Sequence, residues 1–153
     1  MKIVIQRVSS ASVLVDGKLI NSISKGLCLL IGITTDDTEK DADMIAKKVL
    51  DIKLFEDEFQ KRWAKNVVEN EYEILSLSQF TLHATLKGRK PDFHKSMAAD
   101  LSKELYQYLL NKLRNLYSAE KIKEGVFGAY CQVNIVNDGP VTILLDSKNI
   151  TNI

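Results

Sequence analysis

Hydrophobic and polar positions change period several times along this chain, and each change marks an element. Ile3, Ile5 and Val8 open with strand-like spacing, and Val13-Leu14-Val15-Asp16-Gly17-Lys18-Leu19-Ile20 places Asp-Gly between two strand-like arms, a strong hairpin signal. Gly26 to Ile33 is a continuous apolar run, which predicts a strand buried on both faces. The period then lengthens. Thr38 with Asp41 three residues on reads as a capping box, and Ala42, Ile45, Ala46, Val49 and Leu50 follow at helical spacing, with an end near Leu54. Asp57 to Asn70 is polar and mixed in charge, with Trp63 beside Lys61, Arg62 and Lys65, and reads as a long loop or loose hairpin with solvated charges.

Strand-like alternation returns over Glu73 to Leu82 and carries Ser78-Gln79-Phe80-Thr81-Leu82; Lys87-Gly88-Arg89-Lys90-Pro91 then reads as a basic turn. Met97, Leu101, Leu105, Tyr108, Leu109, Leu113 and Leu116 form the apolar stripe of a long amphipathic helix. Ala129, Cys131, Val133 and Ile135 alternate with Gln132 and Asn134 as a half-buried strand, which reaches Gly139-Pro140 and returns as Val141 to Leu145. Pro140 offers no N–H to a ladder and has a fixed φ, so Gly-Pro belongs at a turn or sheet edge, where its carbonyls stand on a stiff support.

Composition narrows the picture. At 153 residues and 45% hydrophobic, the chain has the size of one compact domain over 1–153. A net charge of +1 argues against a long electrostatic groove for nucleic acid but leaves room for a brief contact with an RNA end. Cys28 and Cys131 lie in apolar runs far from any CxxC spacing and read as buried, inert thiols of a reducing compartment. The start shows no signal-peptide succession, and runs such as Leu27 to Ile33 are too short to span a bilayer, so the expectation is a soluble cytoplasmic chain without a membrane partner.

Familiar catalytic devices are mostly missing, and although the members of a Ser/His/Asp triad need not be neighbours in sequence, nothing marks one. There is no GxSxG, P-loop or GxGxxG, and His83 and His94 sit in no HExxH or Cys/His pattern, so neither metal nor cofactor is expected. In an extended Ser78 to Leu82, Gln79 and Thr81 would share one face, where an amide and a hydroxyl, with neighbouring main-chain N–H groups, can orient a water or stabilise an oxyanion without a titrating group. A plain Ser/Thr-rich edge strand is the competing reading of that pentapeptide, as an ordinary trans turn is of Gly139-Pro140.

Taken in order, Gln6 to Val13, Ser78 to Leu82, Lys87-Gly88 with Pro91-Asp92-Phe93, Gly125 to Ala129 and Asn137 to Thr142 closely resemble the D-aminoacyl-tRNA deacylase family over nearly the whole chain. The resemblance implies an α+β fold, a β-barrel-like, mostly antiparallel sheet with two main flanking helices. It implies a hydrolase of the ester joining a D-amino acid, or glycine mischarged on tRNA(Ala), to the terminal ribose of tRNA, working as a homodimer with a composite active site. By the same resemblance Ser78, Gln79, Phe80 and Thr81 line the ester and terminal adenosine, with Phe127 and Cys131 near the pocket. Gly139-Pro140 is expected to be cis and to project into the other subunit's pocket, rejecting L-amino acids. Thr81 lacks an adjacent general base and is read as a positioning group. Lys87, Arg89 and Lys90 are candidate contacts to acceptor-end phosphates. The chain departs from the family at Cys131, where relatives commonly carry methionine, and at Lys90, where arginine is commoner. A non-catalytic nucleic-acid-associated module on the same fold and a deacylase of relaxed chirality are the alternatives.

Overall fold

The computed structural model describes residues 1–150. Strand β1 (Lys2–Val15) is its spine. Along one edge β1 pairs antiparallel first with β3 (Gly26–Gly32), Ile3 opposite Ile31 and Ile5 opposite Leu29, and then with β2 (Lys18–Ile23), Ala11 opposite Ile23. Its other edge carries β8 (Cys131–Asp146), antiparallel from Lys2 opposite Asp146 to Val15 opposite Cys131. Asp16 and Gly17 both have positive φ, 50° and 75°, the two-residue type I′ turn that the Asp-Gly signal predicts.

Strand β3 continues the sheet in parallel with β4 (Glu73–Ser78), and β4 in parallel with β7 (Ile122–Glu124). Side chains join the far ends: Asn21 Nδ2 on β2 donates to the Glu124 carbonyl on β7 (2.5 Å), and Lys123 Nζ donates to the Ser22 carbonyl (2.9 Å). The sheet is thereby nearly closed, and with its two helices gives the expected barrel-like α+β architecture.

Two clusters fill the two faces of the sheet. Ile3, Ile5, Leu27, Leu29 and Ile31 pack against Ala42, Ile45 and Val49 of α1 (Glu39–Asp51) and Tyr106, Leu109, Leu110 and Leu113 of α2 (Ala99–Leu116). Val8, Ala11, Val13, Ile23, Cys28, Leu75 and Leu77 form the second cluster. Strand β3 feeds both, which is why its sequence is apolar without alternation. Each fully buried Leu or Ile contributes about 1.5–3 kcal/mol relative to exposure. Burial pushes the Cys28 thiol up to about 11, so it packs as an inert apolar group.

Three expectations shift. Helix α1 ends at Asp51 and not near Leu54, because Ile52 is already extended while its N–H closes the last turn on Lys48. The buried face of α2 is Leu105, Tyr106, Leu109, Leu110 and Leu113; Leu101 and Leu116 are more than half exposed, lining shallow grooves beside α1. On β8, Cys131 and Ile135 are half-buried but Val133 is exposed, since β8 has no strand beyond it among the described residues. The segment after Phe55 is a loose hairpin closed by the Phe55 to Lys65 bridge, with Glu58–Lys65 and Glu56–Arg62 as surface pairs.

At one end of the β1–β8 ladder, residues from both strands converge on the start of α1. The Met1 ammonium pairs with Asp37 and donates to Ser147 Oγ (2.7 Å), which itself donates to Asp41 Oδ1 (2.7 Å). Lys148 Nζ lies 2.9 Å from Asp41, and Asp41 Oδ2 accepts the Thr38 N–H (2.9 Å) in the capping box. Burial alone raises the Asp41 pKa, but the hydrogen bonds from Ser147, Lys148 and Thr38 outweigh it and hold the carboxyl well below the usual carboxylate range. A carboxyl with a lower pKa folded than unfolded adds stability at neutral pH that disappears as pH falls below about 4. Asp41→Asn is therefore expected to lower urea stability at pH 7 by about 1–2 kcal/mol and to flatten the acid limb of the stability curve; an unchanged acid limb would assign that loss to other carboxyls.

Candidate active site

The site begins where β3 runs out. Its parallel pairing with β4 ends at Ile31 opposite Ser78, and the Gln79 N–H takes the last ladder acceptor, the Ile31 carbonyl, at 2.7 Å. Beyond that point the Ile33 carbonyl is occupied by the Met97 N–H (3.0 Å) and Thr34 bridges Ser96. With no strand left to pair, the chain does not stay extended to Leu82 as its alternation suggests. Gln79 turns (φ −146°, ψ 80°) into a single 3-10 turn, Phe80–His83.

Gln79 and Thr81 are still brought together, by the turn and not by a shared strand face: Gln79 Nε2 donates to Thr81 Oγ1 at 2.5 Å. The Gln79 carbonyl accepts the Leu82 N–H and the Thr81 carbonyl the Ala84 N–H, while the Phe80 and Thr81 N–H groups have no acceptor among the described residues. His83 closes the turn inward, its Nε2 3.1 Å from the Gly32 carbonyl, and burial lowers its pKa so that it stays neutral.

Ser78, Gln79 and Phe80 form one side of a cavity of about 220 Å³. The opposite wall is the Gly125 to Ala129 loop between β7 and β8, with Phe127 and, at the start of β8, Cys131. Cys131 is half-buried, with Sγ 3.5 Å from the Ala129 carbonyl. Thr81 is exposed and touches the site through Gln79. Tyr106, a residue the sequence reading passed over, also lines the cavity; its ring packs tilted on Phe127 with centroids 5.6 Å apart, and its hydroxyl meets Ser76 Oγ at 3.0 Å. Burial pushes the Tyr106 phenol far up, so it is a neutral hydrogen-bonding group at any working pH. Helix α2 also fixes the loop's entry, because Gln107 Nε2 (3.0 Å) and Arg114 Nη2 (2.9 Å) both donate to the Glu124 carboxylate.

Gly139 and Pro140 lie elsewhere in the same chain, outside this cavity's lining. They occupy the break in the β1–β8 register between Gln6 opposite Thr142 and Val8 opposite Asn137, and the bond between them is cis. Gly139 has φ 126°, and a Cβ there would sit 2.9 Å from Val141 Cγ2 and 3.2 Å from Arg7 Nη2, so only glycine fits. Arg7 is the second residue that sequence reasoning missed: its Nε contacts the Asp138 carbonyl (3.1 Å) and Oδ2 (3.3 Å), and its Nη1 donates to the Leu54 carbonyl (2.7 Å). The signal for it was an arginine on a strand among largely buried neighbours.

Lys87, Arg89 and Lys90 are all exposed, on the hairpin of β5 (Thr85–Lys87) and β6 (Lys90–Asp92) that follows the 3-10 turn directly. Phe93, after β6, packs edge-on against Phe80 at 4.9 Å and so ties this hairpin to the cavity. Among the described residues no cluster of three His, Cys, Asp or Glu could hold a metal ion, and no helix is long and apolar enough to cross a membrane.

The buried Tyr106–Ser76 pair gives a stability test. Tyr106→Phe leaves the Ser76 hydroxyl unpaired and is expected to lower unfolding free energy by about 1–2 kcal/mol, whereas Tyr106→Phe with Ser76→Ala recovers most of it, because removing both partners is close to neutral. A double variant as unstable as the sum of the singles would overturn this account of the pair.

Comparison with known proteins places this geometry. A family described as D-Tyr-tRNA(Tyr) deacylase matches residues 4–146. D-aminoacyl-tRNA deacylase of Saccharomyces cerevisiae is 52% identical over 148 residues, covering 96% of this chain and 99% of that one. D-aminoacyl-tRNA deacylase 1 of Homo sapiens is 50% identical over 147 residues, covering 96% of this chain and 70% of that one. Among solved structures, one named c-Myc DNA Unwinding Element Binding Protein superposes with TM-score 0.92 at 50% identity, over 95% of this chain and 98% of that one. A second, described as a probable eukaryotic D-amino acid tRNA deacylase, shares the fold at TM-score 0.83 and 19% identity, over 94% of this chain and 97% of that one. With the family match spanning both walls of the cavity and the Gly139-Pro140 segment, the chain belongs to the D-Tyr-tRNA(Tyr) deacylase family.

Proposed function

We propose that this chain hydrolyses the ester between a D-amino acid, or glycine on tRNA(Ala), and the terminal ribose of tRNA, acting in the cytoplasm as a homodimer and rejecting L-aminoacyl esters. The deacylase activity itself follows from family membership. The observation that carries the rest is the cavity edge at Gln79 to Thr81, where two adjacent main-chain N–H groups have no acceptor among the described residues and stand beside a carboxamide hydrogen-bonded to a hydroxyl. In hydrolysis water adds to the ester carbonyl carbon and the carbonyl oxygen becomes an oxyanion. The bond to the ribose oxygen then breaks, and the proton ends on that oxygen. Preorganised donors to such an oxyanion are worth about 3–4 kcal/mol each. Ser78, Gln79, Phe80 and Phe127 hold the ester and terminal adenosine, and the substrate's own 2′-hydroxyl relays the proton.

Gly139 and Pro140 of one subunit reach the other's cavity and screen chirality there. Supporting this, the pair stands exposed, away from its own chain's cavity, and is held rigid by Arg7. Val136 and Leu144 are also more than half exposed on β8, whose outer edge has no partner strand among the described residues, a surface suited to a second copy. A rigid wall rejects well, since every tenfold of discrimination takes about 1.4 kcal/mol of differential transition-state binding.

The purified protein is expected to strip D-aminoacyl-tRNA and leave the L-aminoacyl ester intact, and Thr81→Ala to keep substantial activity in the same ester-loss assay. Comparable turnover of both esters would point to a deacylase of relaxed chirality, and an inactive but folded Thr81→Ala dimer would make Thr81 a catalytic group. A second reading, a non-catalytic nucleic-acid-binding module, is favoured by the name of the 50% identical solved structure. It requires that both esters survive.

Lys87, Arg89 and Lys90 meet the acceptor-end phosphates, with Lys90 a point charge where arginine would offer a bidentate contact. Few contacts give a shallow salt dependence, each contributing about −0.7 to −0.9 to the slope of log affinity against log salt. Replacing all three with alanine is expected to remove up to three such increments; a slope unchanged by the triple variant would place the tRNA elsewhere.

A further inference from the structure

We propose that Ser96 is a positioning residue for this reaction, its hydroxyl setting the direction of the Thr81 amide at the cavity edge by holding the Phe80 carbonyl. The inference rests on the deacylase reading above and adds a residue that touches neither substrate nor cavity. Ser96 Oγ donates to the Phe80 carbonyl at 3.0 Å. The Phe80–Thr81 peptide is trans, so its C=O and N–H point in opposite directions within one plane, and fixing the first fixes the second. Phe80 lines the cavity and Ser96 does not; the carbonyl is therefore drawn to a group outside the cavity, and the Thr81 N–H, without an acceptor among the described residues, points away from Ser96.

The anchor itself is firm. The Ser96 N–H donates to the Phe93 carbonyl (2.9 Å), and Ser96 bridges Thr34 at the end of β3. On either side, the Lys95 carbonyl accepts Thr34 Oγ1 (2.7 Å) and the Met97 N–H donates to the Ile33 carbonyl (3.0 Å). A one-turn 3-10 helix has poor internal hydrogen-bond geometry, and Ser96 supplies a restraint from outside it. That restraint matters because a backbone donor has no rotamer to be packed into place. Only control of its peptide plane can hold it within the narrow tolerance that transition-state stabilisation needs.

The proposal is tested with purified Ser96→Ala and Ser96→Thr in single-turnover and steady-state deacylation of D-aminoacyl-tRNA, alongside thermal unfolding. Ser96→Ala is expected to lower kcat about five- to tenfold with KM essentially unchanged, while the unfolding midpoint drops by only a few degrees, the range of one lost neutral hydrogen bond. Ser96→Thr keeps the hydroxyl and restores kcat to within about threefold of wild type. Three results overturn the proposal: wild-type kcat in Ser96→Ala, a raised KM with kcat intact, or a Ser96→Thr variant as slow as Ser96→Ala. A wild-type protein inert toward D-aminoacyl-tRNA instead removes the deacylase reading itself, so the two failures are told apart.

Discussion

The ladder between β1 and β8 is the interaction on which the rest of this structure depends. It runs the full length of β1, from Lys2 opposite Asp146 to Val15 opposite Cys131, and the larger of its two lapses in register lies at Gly139-Pro140. One end delivers Cys131 to the cavity wall; the other brings Ser147 and Lys148 onto Met1, Asp37 and Asp41 at the start of α1. Between them, Arg7 uses a guanidinium on β1 to hold the Asp138 carbonyl and carboxylate on β8 and the Leu54 carbonyl beyond α1. The Arg7–Asp138 ion pair is partly exposed and adds little by itself. Its importance is geometric, because it fixes a stretch of strand that can no longer be fixed by ladder bonds.

The cavity is supported from behind in the same way. Helix α2 contributes one side chain to the lining, Tyr106, and two donors to Glu124 one residue before the Gly125 to Ala129 wall begins. Tyr106 in turn ties to Ser76, on the strand that leads into Ser78 and Gln79. Both walls are therefore referred to one helix face, whose Leu105, Leu109, Leu110 and Leu113 anchor in the main core. A substitution in that core reaches the site through Tyr106 and Glu124 without touching a substrate, and its effect there is a change of spacing between the walls.

How much of this was legible in the sequence follows from how local each feature is. Asp16-Gly17 and the Thr38–Asp41 capping box are settled within four residues, and both appear as read. The apolar run of β3 was legible because burial on both faces leaves no alternation. Ser78 to Leu82 was misread as a continuing strand because its conformation is decided by a partner far away in sequence: β3 stops, and Gln79 has nowhere to pair next. The stripe on α2 erred for a similar reason. Periodicity identifies an apolar face but not which shoulder meets the sheet, and Tyr106 was drawn inward by Ser76 while Leu101 and Leu116 fell to groove margins. Of the candidate site, Ser78, Gln79, Phe80, Phe127 and Cys131 do meet in one cavity, but motif resemblance selected them; composition and spacing alone left each with an ordinary structural role.

The lining of that cavity contains no carboxylate, imidazole or ammonium. Its two groups with titratable protons are the Tyr106 phenol, which burial keeps neutral, and the Cys131 thiol. On the proposed deacylase reading, a site so furnished works through donors fixed in place and through the exclusion of wrong shapes. Both are properties of backbone geometry. On that reading, residues one layer out gain weight, Arg7 behind Gly139 and Ser96 behind Phe80: where peptide groups would do the chemistry, the side chains that count are those that hold peptide planes still.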